Sequence, residues 1–317
     1  MLKLRGIHHI TAIATDPQRN VDFYTHVLGL RLVKRTVNFD DPSNYHFYFG
    51  DRVGHPGTII TFFPWPGARR GARGTGQVVS TSFAVQPEAI DFWKRRLSDE
   101  HALAEETARR FGQRVLRFTD PDGLMLELIE SNHFDAIEIH KMSDVPNEFA
   151  LRGFHAPTLE VRPAKLTEQL LIETFGFDMI REEQTRRRFS LNGDLSNAQI
   201  DLVESAETGF GNISAGTVHH IAFRAANDEE QLQWRALLIE RGLQVTPVID
   251  RQYFHSIYFR EPGGILFEIA TDNPGFATDE PVEHLGEGLK LPPQYEEHRG
   301  SIEKVLPPIS LNVTSTP

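Results

Sequence analysis

The sequence predicts an α+β fold made of four copies of one unit, in which a strand and a helix are followed by about three more strands. The first observation is that stretches with strand and helix patterns recur in this order four times before residue 272. The second is a repeated turn signal, DPDG at 120–123 and EPGG at 261–264, each placed before the last strand of a copy. A third is the sequence His-His-Ile, which opens a strand pattern near both ends of the chain.

The first copy begins with a predicted strand at 6–14. The next stretch is predicted to be helical, because apolar residues recur at helical spacing up to Leu28 and Gly29 follows as a C-cap. Three strand-like runs come next: RLVKRTVNF, YHFYFG and TIITFFP.

The other three copies keep the same order. Their first strands are predicted in VVSTSFAV, GFHAPTLEV and VHHIAFRA. Their helices are predicted within PEAIDFWKRRLSDE, PAKLTEQLLIETFGF and DEEQLQWRALLIERG. Closing strands follow each helix, including QRVLRFTDPDGLMLELIE in the second copy and SIYFREPGGILFEIATD in the fourth.

The order of the copies predicts how the chain is divided. Residues 1–135 form an N-terminal domain of two units, and residues 150–272 form a C-terminal domain of two units. Residues 132–150 are the best candidate for a linker between the two halves. Residues 273–317 form a tail rich in Pro, Gly and Glu, and we expect it to pack back on the body because HRGSIEKVLPPI is amphipathic.

Composition excludes several classes of protein. A net charge of -11 argues against nucleic acid as a partner, since phosphate contacts need a basic face. No apolar run approaches the ~20 residues that cross a membrane, and no signal sequence opens the chain, so we expect a cytoplasmic protein. With 0 cysteines, a metal would have to be held by His, Asp, Glu or other oxygen donors.

The repeated histidine pairs are His8-His9 and His219-His220. Neighbouring residues of a regular strand point to opposite faces, so only one histidine of each pair could bind a given metal. The other would lie on the reverse face or behind the ligand. A single strand histidine is more often an ordinary core or surface residue, and it is the repetition that argues for a metal site.

The repeated unit, across residues 4–272, resembles the βαβββ module of the vicinal oxygen chelate superfamily, also called the glyoxalase/bleomycin-resistance/dioxygenase fold. The resemblance implies that pairs of modules curl into two cupped mixed sheets with flanking helices. It also implies that metal ligands lie on the first and last strands of a module. Fold alone leaves the function open.

Aligning the four modules on these ligand positions shows which of them carry metal-binding side chains. The first strands offer His9, Ser80, Ala156 and His220, and the last strands offer Thr61, Glu127, Asp201 and Glu268. We therefore assign His9, His220 and Glu268 as the metal ligands, which requires modules one and four to pair. A two-histidine, one-carboxylate set leaves a face of the metal open and suits Fe(II), although Mn(II) could occupy the same ligands. The set left in modules two and three has no imidazole, and we expect it to be metal-free.

A different pairing of modules would give a different site. If modules one and two pair, and modules three and four pair, the ligands would be His155, Asp201, His220 and Glu268. Four protein ligands are more typical of a glyoxalase-type lyase or isomerase. Against this pairing, GFHAPT aligned on GIHHIT matches His155 with His8 rather than with His9.

Five stretches give a closer resemblance, to the ring-cleaving hydroquinone and chlorohydroquinone 1,2-dioxygenases: HHIT, LGLRLVKRTVNFDD, YHFYFGD, HHIAF and DRQYFHSIYFREPGGILFEIATD. The resemblance implies His9, His220 and Glu268 as iron ligands. It also implies that five further side chains line the pocket or support the ligands: His8, Thr11, His219, Arg251 and Tyr258.

The activity that this resemblance implies is Fe(II)-dependent, extradiol-type ring cleavage of a hydroquinone-like aromatic by O2. A histidine near the metal would move a proton, Arg251 would stabilise negative charge on oxygen, and Tyr258 would hydrogen-bond a substrate hydroxyl. The expected partners are therefore a small aromatic diol and O2. A homodimer is compatible with this resemblance, because dimers are common for the fold.

Overall fold

The structure is a computed structural model, and it describes residues 2–134, 137–140, 143–191, 193, 198–205 and 208–311. Within these residues no helix is long and apolar enough to cross a membrane. The predicted domain boundary at residue 135 and the last six residues of the tail lie outside the described residues.

Each of the four modules contains a strand, a helix and three further strands, as predicted. Module one contains β1 (Ile7–Ala14), α1 (Pro17–Asp22), β2 (Arg31–Asn38), β3 (Asp41–Gly50) and β4 (Ile59–Pro64). Module two contains β5 (Gln77–Val85), α2 (Ala89–Asp99), β6 (Ala104–Glu106), β7 (Val115–Thr119) and β8 (Met125–Glu130). Module three contains β9 (Thr158–Val161), α3 (Lys165–Gln169), β10 (Phe177–Glu183), β11 (Arg186–Leu191) and β12 (Gln199–Glu204). Module four contains β13 (Val218–Ala225), α4 (Asp228–Glu240), β14 (Ile249–Asp250), β15 (Phe254–Arg260) and β16 (Leu266–Pro274).

The modules assemble into two eight-stranded mixed sheets, which confirms the predicted fold class. Modules four and one form the first sheet, in the order β14-β15-β16-β13-β1-β4-β3-β2. Modules three and two form the second, in the order β10-β11-β12-β9-β5-β8-β7-β6. The central strands β1 and β13 pair antiparallel, as do β5 and β9. The predicted pairing of modules one and four is therefore confirmed, and each half of the sequence contributes one module to each sheet. The division into sequence domains stays a prediction.

Helices cover the sheets, and their starts follow local sequence chemistry. The Asp16 side chain accepts a hydrogen bond from the Arg19 amide at the start of α1, and Asn227 does the same for the Glu230 amide at the start of α4. In modules one and three the helix continues into a π-helical turn, at Phe23–Val27 and Leu170–Thr174. The sequence pattern predicts a helix at these places but not its winding.

The first strand of module three is shorter than predicted. The sequence suggests a strand at 153–161, whereas β9 spans only Thr158–Val161. Pro157 has no amide hydrogen, so it cannot donate in the ladder. The chain before it is held by single contacts instead, in which the amides of Phe154 and His155 donate to the carbonyls of Gly57 and Ser82.

The segment after β16 folds onto the first sheet. It contains three short 3-10 turns, at Phe276–Thr278, Val282–His284 and Pro293–His298, followed by α5 (Arg299–Val305). Five apolar side chains of this segment are buried: Phe276, Leu285, Leu291, Ile302 and Leu306. The buried Lys34 ammonium on β2 pairs with Asp279 at 2.6 Å and with Glu280 at 2.5 Å, so the segment is also fixed by charge.

Candidate active site

Three side chains from three neighbouring strands meet on the concave face of the first sheet. His9 comes from β1, His220 from β13 and Glu268 from β16. The two His Nε2 atoms are 3.3 Å apart, and Glu268 Oε2 lies 3.3 Å from His9 Nε2 and 2.9 Å from His220 Nε2. All three are buried. Among the described residues this is the group of His, Asp and Glu side chains whose ligand atoms are close enough to share a metal ion.

The donor atoms of this group fit a divalent cation. Glu268 Oε1 accepts a hydrogen bond of 2.5 Å from Ser256 Oγ, but the buried Oε2 atom has no hydrogen-bond partner. A buried carboxylate oxygen without a partner is costly unless a cation neutralises it. Because two imidazole nitrogens face the same point, a metal ion would satisfy all three atoms at once, and imidazole with carboxylate is a ligand set typical of Fe(II).

The second histidine of each pair is also at the site, which regular strand alternation does not predict. The register of β1 against β13 shifts between Ile7 and His9, and again between Thr11 and Ala12. The two shifts place one extra residue in each strand, His8 in β1 and His219 in β13. These bulges bend the strands, so that each extra histidine turns beside its neighbour rather than to the reverse face.

Each extra histidine contacts the inner nitrogen of the neighbouring candidate ligand. The Nδ1 atoms of His8 and His9 are 2.9 Å apart, and those of His219 and His220 are 2.8 Å apart. A ligand that uses Nε2 for the metal carries its proton on Nδ1, and can donate that proton to the neighbouring Nδ1. His8 is itself hydrogen-bonded to the backbone of Thr271. Burial lowers the pKa of His8 and brings the pKa of His219 to about 3, so both are neutral acceptors.

Thr11 belongs to a separate chain of hydrogen bonds beside the ligands. Its Oγ1 is 2.8 Å from Thr61 Oγ1, and Thr61 Oγ1 is 2.9 Å from His46 Nε2. The Tyr48 hydroxyl then contacts His46 Nδ1 at 3.0 Å. Thr61 aligns with Glu268 in the other module, so in module one the carboxylate position is taken by this neutral chain. Thr11 is fully buried and supports the wall of the site from behind.

Arg251 and Tyr258 also line the site. The Arg251 Nε atom donates to the Tyr258 hydroxyl at 3.2 Å, and its Nη1 atom pairs with Asp40 Oδ2 at 3.1 Å. Tyr258 pairs with Glu268 across β15 and β16, and its ring packs edge-on to the His220 ring. Burial raises the pKa of Tyr258, so its hydroxyl stays protonated and can donate.

These side chains open into a cavity of about 230 Å³. Of the residues predicted for the site, His9, His219, His220, Arg251 and Tyr258 line it, whereas His8, Thr11 and Glu268 are not part of the lining. Sequence reasoning missed the remaining wall, which is largely aromatic: Asn38, Phe39, Asp40, His46, Tyr48, Phe63, Trp65, Phe254 and Leu266. The polar His46 within the strand YHFYFG was the one local signal for these residues.

The alternative four-ligand set is not assembled. Asp201 lies on β12 of the second sheet and His155 lies just before β9 of that sheet, whereas His220 and Glu268 lie on strands of the first sheet. His155 is held by amide groups of Gln113 at 2.9 Å and Gln199 at 3.3 Å. The pairing of modules that this alternative needs is wrong.

In the second sheet, arginines hold the carboxylates at the aligned positions. Arg110 donates two hydrogen bonds of 2.8 Å to Glu127, and Arg188 donates to Asp201 at 2.6 and 3.0 Å. Arg117 and Arg186 add further contacts, one to each carboxylate. Burial alone would raise the pKa of Glu127, but the hydrogen bonds and charge of Arg110 bring it to about 2.

Comparison with known proteins agrees with this geometry. The family model of the glyoxalase/bleomycin resistance protein/dioxygenase superfamily matches residues 6–128 and 169–269. A Bacillus subtilis (strain 168) protein named "Putative ring-cleaving dioxygenase MhqO" is 50% identical over 98% of both chains. The chlorohydroquinone/hydroquinone 1,2-dioxygenase of Sphingobium indicum is 34% identical over 93% of both chains.

Solved structures give the same assignment. The crystal structure of a "putative dioxygenase" from Bacillus subtilis superposes with a TM-score of 0.93 at 49% identity, covering 98% of this chain and 99% of that one. Maize glyoxalase I, at 14% identity and a TM-score of 0.61 over 84% of this chain and 92% of that one, shares the fold. The chain is therefore an enzyme of the glyoxalase/bleomycin resistance protein/dioxygenase superfamily, and it belongs with the ring-cleaving dioxygenases.

Proposed function

We propose that the protein is an Fe(II)-dependent, extradiol-type ring-cleaving dioxygenase that acts on hydroquinone-like para-diols with O2. The observation that carries the proposal is the meeting of His9, His220 and Glu268 beside an aromatic-walled cavity that the two histidines line. These three side chains would hold the metal ion, and a set of only three protein ligands would leave it able to bind further ligands. The 34% sequence identity with a chlorohydroquinone/hydroquinone 1,2-dioxygenase supports a para-diol as the substrate.

When bound, Fe(II) supplies the redox chemistry that allows O2 to react with an aromatic ring; Mn(II) could take the same ligands. The protein's part is to bind and orient the ring. A para-diol can offer only one of its oxygens to a metal, so the cavity walls must hold the rest of the molecule. Phe63, Trp65 and Phe254 provide flat apolar surfaces suited to that contact.

The polar residues have separate tasks. The Tyr258 hydroxyl accepts a hydrogen bond from Arg251 and also contacts the Ser256 side chain, and it would donate its proton to a substrate oxygen bound in the cavity. The Arg251 guanidinium stabilises negative charge that develops there. His219 uses Nδ1 to accept from His220, so in its neutral form it carries its proton on Nε2, which can donate a hydrogen bond to a substrate oxygen.

The test is O2 uptake by protein reconstituted with Fe(II) under anaerobic conditions and then given methylhydroquinone, chlorohydroquinone or catechol. We expect uptake with both hydroquinones, slower uptake with catechol, and loss of uptake in His220→Ala. The matched control is Ser80→Ala, since Ser80 holds the aligned position in the second sheet, and it should retain uptake. Turnover of a hemithioacetal without O2 uptake, by protein that binds metal but consumes no diol, would contradict the proposal and favour a glyoxalase-type reaction.

A further inference from the structure

The charges that line the cavity form one ion pair across its mouth. Among the described lining residues, Arg251 is the one side chain that carries a positive charge at neutral pH by its chemistry, and Asp40 is the one carboxylate. Their side chains meet at 3.1 Å between Arg251 Nη1 and Asp40 Oδ2. Asp40 comes from the turn between β2 and β3 in module one, and Arg251 from module four, so the pair joins the two modules that build the site.

The two partners are exposed to very different degrees. The Arg251 side chain is 18% exposed, and the Asp40 side chain is 75% exposed. Arg251 is positioned from inside the cavity by Tyr258, whereas the Asp40 carboxylate has solvent on its outer side. A guanidinium held at the wall of an aromatic cavity would be a ready receptor for a carboxylate, because its fork of N–H groups matches the two oxygens. Asp40 already occupies one arm of that fork.

We propose that Asp40 determines substrate charge: it neutralises Arg251 at the cavity mouth, and so the enzyme selects uncharged para-diols over para-diols that carry a carboxylate. This inference rests on the proposed function, since it names the class of para-diol that the same site accepts. A ring carboxylate near Arg251 would lie beside the Asp40 carboxylate, and two like charges held that close repel each other. Discrimination by a repulsive group at the mouth requires no contact with an uncharged substrate.

The test compares the binding of hydroquinone and 2,5-dihydroxybenzoate by Fe(II)-loaded protein without O2, using equilibrium dialysis. In Asp40→Asn we expect the affinity for 2,5-dihydroxybenzoate to rise by about tenfold or more relative to that for hydroquinone, since removing one close like charge is an effect of this order. The control is Asp41→Asn, which removes the same charge at the next residue, outside the cavity lining. In Asp40→Asn/Arg251→Gln the gain should disappear, because the receptor is then missing.

Steady-state kinetics test the role of Asp40 independently of the binding measurement. With O2 present, Asp40→Asn should raise kcat/KM for 2,5-dihydroxybenzoate relative to hydroquinone, whereas Asp41→Asn should leave this ratio as in the unsubstituted protein. A change of less than twofold in relative affinity, or an equal change in Asp41→Asn, would overturn the role of Asp40 even if hydroquinone is cleaved. Failure of the proposed function would look different, because no diol would then be consumed although the binding measurement could still be made.

Discussion

The two sheets of this protein have the same topology and the same buried carboxylate position, but they neutralise that carboxylate differently. In the first sheet, Glu268 faces His9 and His220, and its Oε2 atom has no hydrogen-bond partner. In the second, Glu127 at the aligned position receives both arms of the Arg110 guanidinium. A buried carboxylate at this position of the module therefore needs a cation, which can be a protein side chain or a metal ion.

The residues on the first strands decide which cation is used. His9 and His220 offer lone pairs to a metal, whereas Ala156 and Ser80 at the aligned positions offer no imidazole. In the second sheet Arg110, from the loop between β6 and β7, supplies fixed charge to Glu127 and occupies both of its oxygens. A metal ion leaves coordination positions open, so only the first sheet keeps the capacity to bind a substrate there.

The largest expected effect is on activity. Glu268→Gln removes the charged ligand and should lower O2 uptake with methylhydroquinone by about 10³-fold or more, because the metal is lost or held in the wrong geometry. The matched variant Glu127→Gln, assayed at a temperature at which it is folded, should stay within severalfold of the unsubstituted protein. Equal losses of O2 uptake in both variants would contradict the proposed difference between the sheets, because both sheets would then be needed for the reaction.

The second sheet should depend on its ion pairs for stability. Arg110→Met leaves Glu127 buried without its bidentate partner, and we expect the free energy of unfolding to fall by about 3–5 kcal/mol in urea denaturation. The double variant Arg110→Met/Glu127→Leu should recover part of this loss, because it buries no unpaired charge. Arg224→Met, which breaks the partly exposed pair with Asp272, should cost about 1 kcal/mol or less. If Arg110→Met lowers the free energy of unfolding by as little as Arg224→Met does, Arg110 does not neutralise Glu127.

The same ion pairs predict how stability depends on pH. Glu127 has a folded-state pKa of about 2 against an ordinary value of 4.5. The unfolded chain therefore binds the proton first, and the stability from this group is present above pH 4.5 and is lost as the pH falls toward 2. The loss amounts to about 3 kcal/mol, and it should be missing in Glu127→Gln. Urea denaturation between pH 5.5 and 3 measures the difference; parallel curves for the two proteins would refute the prediction.

The smallest expected effect concerns His8, one of the two histidines at the bulges. His8→Phe removes the acceptor for the His9 Nδ1 proton, and we expect the affinity for Fe(II) to fall by about 10–100-fold. His155 holds the position aligned with His8, just before β9 of the second sheet, so His155→Phe should leave Fe(II) affinity unchanged. Anaerobic titration against a competing chelator measures both. An unchanged affinity in His8→Phe would reduce His8 to a packing residue against Phe254.

The sequence predicted the modules, the pairing of modules one and four, and the three side chains that meet, because repetition and alignment carry that information. His9 and His220 are recognisable because His-His-Ile recurs at aligned positions, and Glu268 because it holds a carboxylate at a ligand position that the fold resemblance implies. The position of His8 and His219 was not predictable from alternation, because a bulge depends on the register between two strands that are far apart in sequence.

The cavity wall was predicted only in part, for a related reason. His46 and Asp40 reach the site because β2, β3 and their turn curl over the ligands, and local patterns do not encode that curvature. For Asp40 in particular, the sequence indicates only an ordinary turn residue beside Asp41. Its contact with Arg251 joins residues that are separated by 211 positions.

The central claim is that one of two similar sheets holds a metal ion, and Fe(II) stoichiometry tests it most directly. Anaerobic equilibrium dialysis followed by iron analysis should give one tightly bound Fe(II) per chain in the unsubstituted protein and in Ser80→Ala, and none in His220→Ala. Two ions per chain, or one ion retained in His220→Ala, would contradict the account.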